Sequence, residues 1–346
     1  MPEPSTAEST GMFREAAEAA TVVEAQLERN ADVVARLAKD LKSRSKCAVV
    51  TLARGSSDHA ATYARYLIET RLGILTSSAA PSVSSLYARG SHLRDTIVLA
   101  ISQSGRSPDL LASAEAARAA GAYVVALVNA EQSYLGQIAD CAIPLCAGEE
   151  RSVAATKSFI ASMAAIAHLV ASWSDDHKLH AALEILPAQL RRAWELDWSD
   201  GVTRFRDAQS LYVVGRGLGL GIAGEAALKF KETCALHAEA FSSAELRHGP
   251  LAIVREGFPV LLFAQDDETR DGMARLAREL AAHGAEVTAA GLPEARAGAL
   301  PVIETEPAIA PLLQIQSFYR MVNALSVARG YDPDRPRHLS KITETL

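Results

Sequence analysis

The chain has 346 residues, 49% of them apolar and 22% charged, with a net charge of −6. That is the make-up of a globular protein with room for two ordinary domains and a sizeable core. Basic runs are absent and aromatics are only 5%, which excludes an obvious nucleic-acid surface, and no apolar run has the length of a membrane span. The four cysteines, Cys47, Cys141, Cys146 and Cys234, form no C-x-x-C pair, and no histidine pair has zinc spacing. A reduced, cytoplasmic setting is expected. The opening MPEPSTAEST lacks a cationic or apolar signal region and reads as loose.

In chain order, Glu8 to Lys42 reads as helix, rich in Ala, Glu and Leu. Cys47–Leu52 is a short buried strand ending at Arg54-Gly55, and a helix follows over Asp58–Arg71. Strand Thr96–Ile101 runs into Ser-Gln-Ser-Gly and then a helix to about Ala120. Strands at Tyr123–Val128 and Cys141–Leu145 and an apolar helix at Thr156–Ser172 complete the first half. Strands alternating with helices imply a parallel sheet covered on both faces. A polar, Trp-containing helical stretch around Ser174–Asp200 marks the boundary.

The second half repeats the plan. Arg54-Gly55 meets Arg216-Gly217 at an offset of 217 − 55 = 162, and Thr96–Ile101 meets Phe258–Phe263 at the same offset. An internal duplication is the reading. It sets Ser102-Gln103-Ser104-Gly105 against Ala264-Gln265-Asp266-Asp267. A hydroxyl-rich loop with Gly at a helix start suits a phosphate. Gly55-Ser56-Ser57 ends the first strand at the same sheet edge, where open α/β sheets bind ligands. Asp266, Asp267 and Glu268 would repel a phosphate, so an anion site is expected only in the first half.

The densest polar stretch is Glu225–Val254. Lys229 and Glu232 stand at i and i+3, a spacing that serves an ion pair. Glu232 on an otherwise apolar helix is a candidate proton shuttle. His248, in a His-Gly-Pro turn, is held out from the core and is a candidate at a cleft. Asp58-His59 lack a G-x-S-x-G elbow, so a hydrolase triad is not expected. The end, DPDRPRHLSKITETL, reads as an irregular tail with Leu339 and Ile342 to bury. Its Lys341 is an amine able to engage a carbonyl sugar.

These motifs in combination resemble the sugar isomerase (SIS) family. They are G-S-S at 55–57, S-Q-S-G at 102–105, SVAATKSF at 152–159, EAALKFKETCALHAEAFSSAELRHGPLA at 225–252 and RPRHLSK at 335–341. The likeness is to the isomerase half of glucosamine-6-phosphate synthase and runs from about Cys47 to Leu346. It implies an α/β fold of two tandem SIS domains, each a doubly wound, flavodoxin-like parallel sheet flanked by helices. The domains would span 43–185 and 200–330, after an N-terminal helical segment (1–42) and before a tail over the active site (331–346). It implies that Ser102, Gln103, Ser104 and Ser107 bind a sugar phosphate. Ser56, Ser57 and the Val153 backbone would line the sugar site, with Lys229 beside Glu232. Glu232 would move a proton between C1 and C2, His248 from the partner subunit would open the ring, and Lys341 would engage the open-chain sugar. A homodimer with a shared site and no metal or organic cofactor are implied.

Two departures from the synthase stand out. No glutaminase domain is expected ahead of the first helix, and Arg106 replaces an acid in the phosphate loop. RGSSDHAATYARYLIET resembles the family's stand-alone deaminases, so the expected reaction is glucosamine 6-phosphate plus water to fructose 6-phosphate plus ammonia. The alternatives are a fructosamine-6-phosphate deglycase, a glutaminase-independent phosphosugar isomerase, and a non-catalytic sugar-phosphate sensor. The N-terminal forty residues are too few and too acidic for the helix-turn-helix of a DNA-binding sensor.

Overall fold

The computed structural model describes residues 6–44, 48–87, 89 and 92–341. Cys47 and Ile342 lie outside them. Two compact units emerge: residues 21–150, 157–184 and 340–341 form the N-terminal one, and residues 6–20, 151–156 and 185–339 form the C-terminal one.

The expected single helix from Glu8 to Lys42 is two helices, α1 (Gly11–Ala17) and α2 (Ala19–Ser43). The Thr10 hydroxyl accepts from the Phe13 N–H and starts α1, and at Glu18 the backbone tightens onto the Glu15 carbonyl. Residues 6–10, just before α1, are also not loose. Thr10 donates its hydroxyl to Asn323 at 2.7 Å, and Asn323 returns a bond to the Ala7 carbonyl at 2.7 Å. A buried asparagine must be satisfied, and this segment satisfies it.

The N-terminal unit carries β1 (Ala48–Leu52), α3 (Ser56–Leu72), β2 (Thr76–Ser78), α4 (Pro81–Ser85), β3 (Thr96–Ser102) and α5 (Pro108–Ala119). There follow β4 (Tyr123–Val128), α6 (Tyr134–Ile138), β5 (Cys141–Pro144) and α7 (Lys157–Ser174). The strands are parallel in the order β2-β1-β3-β4-β5. All seven residues of β3 are buried, as a central parallel strand requires. Leu52, Val98, Leu110, Val124 and Leu135 knit this sheet to α5 and α6. Helix α8 (His177–Trp194) then leads to α9 (Ser199–Phe205).

The C-terminal unit continues with β6 (Ser210–Gly215), α10 (Leu220–Cys234), β7 (His237–Ser242) and β8 (Pro259–Phe263). It ends with α11 (Arg270–Ala282), β9 (Glu286–Ala290), β10 (Ala299–Leu300) and α12 (Ala310–Ala328). Its strand order, read from the other edge, is β7-β6-β8-β9-β10. That is the N-terminal order again, so the duplication extends to topology. It also extends to backbone: Gly55 and Gly217 take φ of +55° and +56° after the first strand of their sheets. Tyr212, Phe258, Leu262, Met273 and Leu280 form the core under α11. The edge strands β2 and β7 escaped sequence reading. Thr-Ser-Ser is short and polar, and His237 and Glu239 in β7 face outward.

Candidate active site

In each sheet the chain order reverses between the first and third strands, β1 and β3 in one and β6 and β8 in the other. Loops at such a switch point diverge and leave a crevice at the carboxyl ends of the strands. In the N-terminal unit the expected residues fall there. Ser56 and Ser57 open α3 immediately after β1, Ser102 ends β3, and Gln103 to Ser107 lead into α5. The Ser102 hydroxyl accepts from the Gly105 N–H at 2.9 Å, and Ser104 accepts from Arg106 N–H at 3.3 Å. Both hydroxyls are thereby oriented with their own protons left to donate. Ser107 takes the N-cap position of α5 with no side-chain capping bond. Gly105 has φ +61°, and a Cβ there would stand 2.2 Å from the Ser133 hydroxyl. Only glycine fits that turn. Arg106 is exposed.

One contact that sequence reading missed fixes the two hydroxyl loops together. Arg54, just after β1, donates from Nε and a terminal nitrogen to Asp109 at 2.8 and 2.7 Å. Asp109 sits in the first turn of α5 and is 1% exposed. The pair therefore ties the Gly55-Ser56-Ser57 loop to the start of α5.

In the C-terminal unit the candidate residues Lys229 and Glu232 lie on α10. Lys229 is fully buried and bonds Glu232 at 2.6 Å and Glu225 at 3.2 Å. The i, i+3 pair expected from sequence is present; the i, i−4 partner Glu225 was missed. Glu225 is wholly buried and also accepts the Tyr319 hydroxyl at 2.9 Å. Burial alone lowers the Lys229 pKa, but the two carboxylates outweigh it and the net shift is upward. The ammonium is therefore held charged. Two carboxylates share one cation, and Glu232, its side chain 18% exposed, is the member that reaches a cavity.

That cavity holds about 690 Å³ and is lined by Glu232, Lys231 and Thr233 on one side and by the tail residues Tyr331, Arg335 and His338 on another. Lys229 does not line it and backs Glu232 instead. The tail is irregular, as expected, yet fastened. The Asp334 carboxylate accepts from the Gly11 and Met12 N–H groups at 2.6 and 2.7 Å and from the Ser152 hydroxyl at 3.2 Å. Glu15 on α1 accepts from the Arg151 and Ser152 N–H groups. The N-terminal helix thus clasps both the tail and the segment that carries the half-buried Val153. Asp334 and Glu15 gave no sequence signal, because their partners are backbone groups far away in the chain.

Lys341 belongs to the N-terminal unit, where its ammonium lies 3.4 Å from Glu150. Glu150 is buried and also accepts from the Ser158 hydroxyl at 2.6 Å. His248 is exposed after a 3₁₀ turn, Glu245–Arg247, and is followed by Gly249 at φ +133°. Among the described residues no group of three or more His, Cys, Asp or Glu side chains is arranged to hold a metal ion. No helix among them is long and apolar enough to cross a membrane.

A doubled, doubly wound α/β scaffold with hydroxyl loops at one switch point defines the class of this protein. The model of the SIS domain matches residues 43–172 and 204–290, and the chain belongs to that family. A crystal structure from Silicibacter pomeroyi DSS-3, provisionally described as a phosphosugar isomerase, is 44% identical with a TM-score of 0.89, covering 94% of this chain and all of that one. The glutamine–fructose-6-phosphate aminotransferase (isomerizing) of Sulfurisphaera tokodaii is 32% identical over 318 residues, 90% of this chain and 52% of that protein. The chain spans about half the length of the curated relatives it matches, and it is homologous to their isomerase half. The glucosamine-6-phosphate deaminase of Thermotoga maritima is similar in fold, at 20% identity and a TM-score of 0.77 over 97% of this chain and all of that one.

Proposed function

We propose that the protein is an isomerising glucosamine-6-phosphate deaminase that converts glucosamine 6-phosphate and water into fructose 6-phosphate and ammonia. The observation that carries the reading is the buried Glu225–Lys229–Glu232 cluster, which presents the Glu232 carboxyl group at a cavity. In this reading Ser102, Gln103, Ser104 and Ser107 anchor the phosphate, and Ser56, Ser57 and Val153 line the sugar. His248 of a second copy opens the ring. Glu232 removes the C2 proton of the open-chain aldehyde and delivers a proton to C1, and water hydrolyses the resulting C2 imine, releasing ammonia. Lys341 engages the open-chain sugar. The residues 43–185 and 200–330 are the two SIS domains of a cytoplasmic homodimer.

The test is ammonia release from glucosamine 6-phosphate by the purified protein, with fructose 6-phosphate quantified in the same tube. Equal amounts of both are expected. Sugar-phosphate binding with neither product formed would refute the deaminase and leave a deglycase or a sensor.

A further inference from the structure

The second switch point also has a cavity. It holds about 500 Å³ and lies where the loops after β6, β7 and β8 meet the start of α11. Arg216 follows β6, Ser243 follows β7, Glu268 and Thr269 follow β8, and Asp271 and Arg275 belong to α11; Arg247 completes the wall. This is the place on the C-terminal sheet that the Ser56 and Ser102 loops occupy on the N-terminal one. The matching glycines, Gly55 and Gly217, even share their left-handed backbone.

The acids expected to repel an anion here turn largely elsewhere. The Asp267 carboxylate accepts both the N–H and the hydroxyl of Thr269, at 2.8 and 2.5 Å. Asp266 lies 3.7 Å from Arg270. Neither lines the cavity; of the three acids only Glu268 does. Arg247 shares its charge with Glu279 at 2.6 Å, and Arg216 donates to the Ser242 hydroxyl at 2.8 Å. Arg275 is exposed and has no carboxylate partner among the described residues. Ser243 is 7% exposed, lines the cavity, and its hydroxyl makes no hydrogen bond among the described residues. A hydroxyl with no partner among the described residues, lining the same cavity as the Arg275 guanidinium, and Arg216, whose one bond goes to a neutral hydroxyl, form an anion-binding arrangement. Glu268 and Asp271 add acceptors suited to hydroxyl or ammonium groups.

We propose that this cavity is a second ligand site, specific to the C-terminal half, for a small phosphate monoester bearing hydroxyl or amino groups, the same chemical class that the SQSG loop suits. It requires no turnover and does not depend on the deaminase assignment. Fructose 6-phosphate is the probe, with inorganic phosphate as the control for a bare anion. Titration calorimetry on the full chain is expected to give two sites per chain. Ser104→Glu, which places a carboxylate in the first loop, should leave one. Arg275→Glu together with Ser243→Ala should weaken the other at least about tenfold, since charge-assisted bonds to phosphate are the strong ones. Circular dichroism melting of that variant confirms its fold, Arg275 being exposed. A single site in the wild type that disappears entirely with Ser104→Glu overturns the proposal. So does a second site that the Arg275 and Ser243 changes leave untouched, or one that binds inorganic phosphate as tightly as the sugar ester.

Discussion

The two halves share a strand order and a left-handed glycine after the first strand, yet their reactive groups lie on different parts of that shared frame. The N-terminal half places hydroxyls in the loops at its switch point, held by Arg54–Asp109. The C-terminal half replaces that loop chemistry with arginines and acids, and buries a lysine between two carboxylates inside the helix that follows its first strand. Duplication copies what packing enforces, the sheet and its turns. Side chains at the carboxyl edge carry little of the core and are free to diverge.

The sharpest way to break this division of labour is Glu232→Gln. It removes the proposed base and keeps the shape. We expect turnover to fall by about a thousandfold or more, the upper end of what a positioned general base contributes, with binding of fructose 6-phosphate retained. Rate and calorimetry on one preparation check it, and full activity would remove Glu232 from the chemistry.

Lys229→Met tests the C-terminal cluster as structure. It leaves Glu225, wholly buried, and Glu232 without their cation, a loss that costs about 3–5 kcal/mol when a buried pair is broken. Denaturant unfolding measures it. A loss below about 1 kcal/mol would mean the cluster is solvated.

The halves should also respond to pH from opposite ends. His168, in α7 of the N-terminal unit, is pushed down to about 4 by burial and then by the nearby His180. Its folded value lies below the unfolded one, near 6.5. Its contribution is therefore complete above pH 6.5 and is lost as pH falls towards 4, by up to ~3 kcal/mol. Lys229 has the raised value, so its contribution is present below the unfolded lysine value and is lost only as alkali passes the folded one. Unfolding curves between pH 7 and 4 should show the acid loss, and His168→Gln should flatten it. An unchanged slope in that variant would assign the acid loss to other groups.

The smallest effect compares the duplicated glycines directly. Gly55→Ala meets nothing within 4 Å, and Gly217→Ala meets the Thr269 methyl at 3.3 Å. Each should cost about 1 kcal/mol for the left-handed backbone, slightly more at Gly217. Thermal melts of the two variants, side by side, test whether the second copy is the more tightly closed.

Much of this molecule was legible in its residues. Apolar runs such as Thr96–Ile101 and Tyr123–Val128, alternating with helical segments, read as buried parallel strands, and the offset of 162 between Arg54-Gly55 and Arg216-Gly217 exposed the duplication. The spacing of Lys229 and Glu232 announced an ion pair because helical geometry is local. The SQSG and GSS loops stood out because both sit at the carboxyl ends of parallel strands, where open α/β sheets bind ligands. Only the tertiary structure decided what depends on distant partners. It added Glu225 and Tyr319 to the lysine, tied Asp334 to the first turn of α1, and seated Glu150 beside Lys341. It also turned Asp266 and Asp267 away from the second cavity, where charge counting alone had expected them to exclude an anion. Sequence fixes which groups a segment carries and, within a helix or turn, how they are spaced. Where a carboxylate finally points depends on which donors the fold brings within three ångströms of it, and those donors can be three hundred residues away.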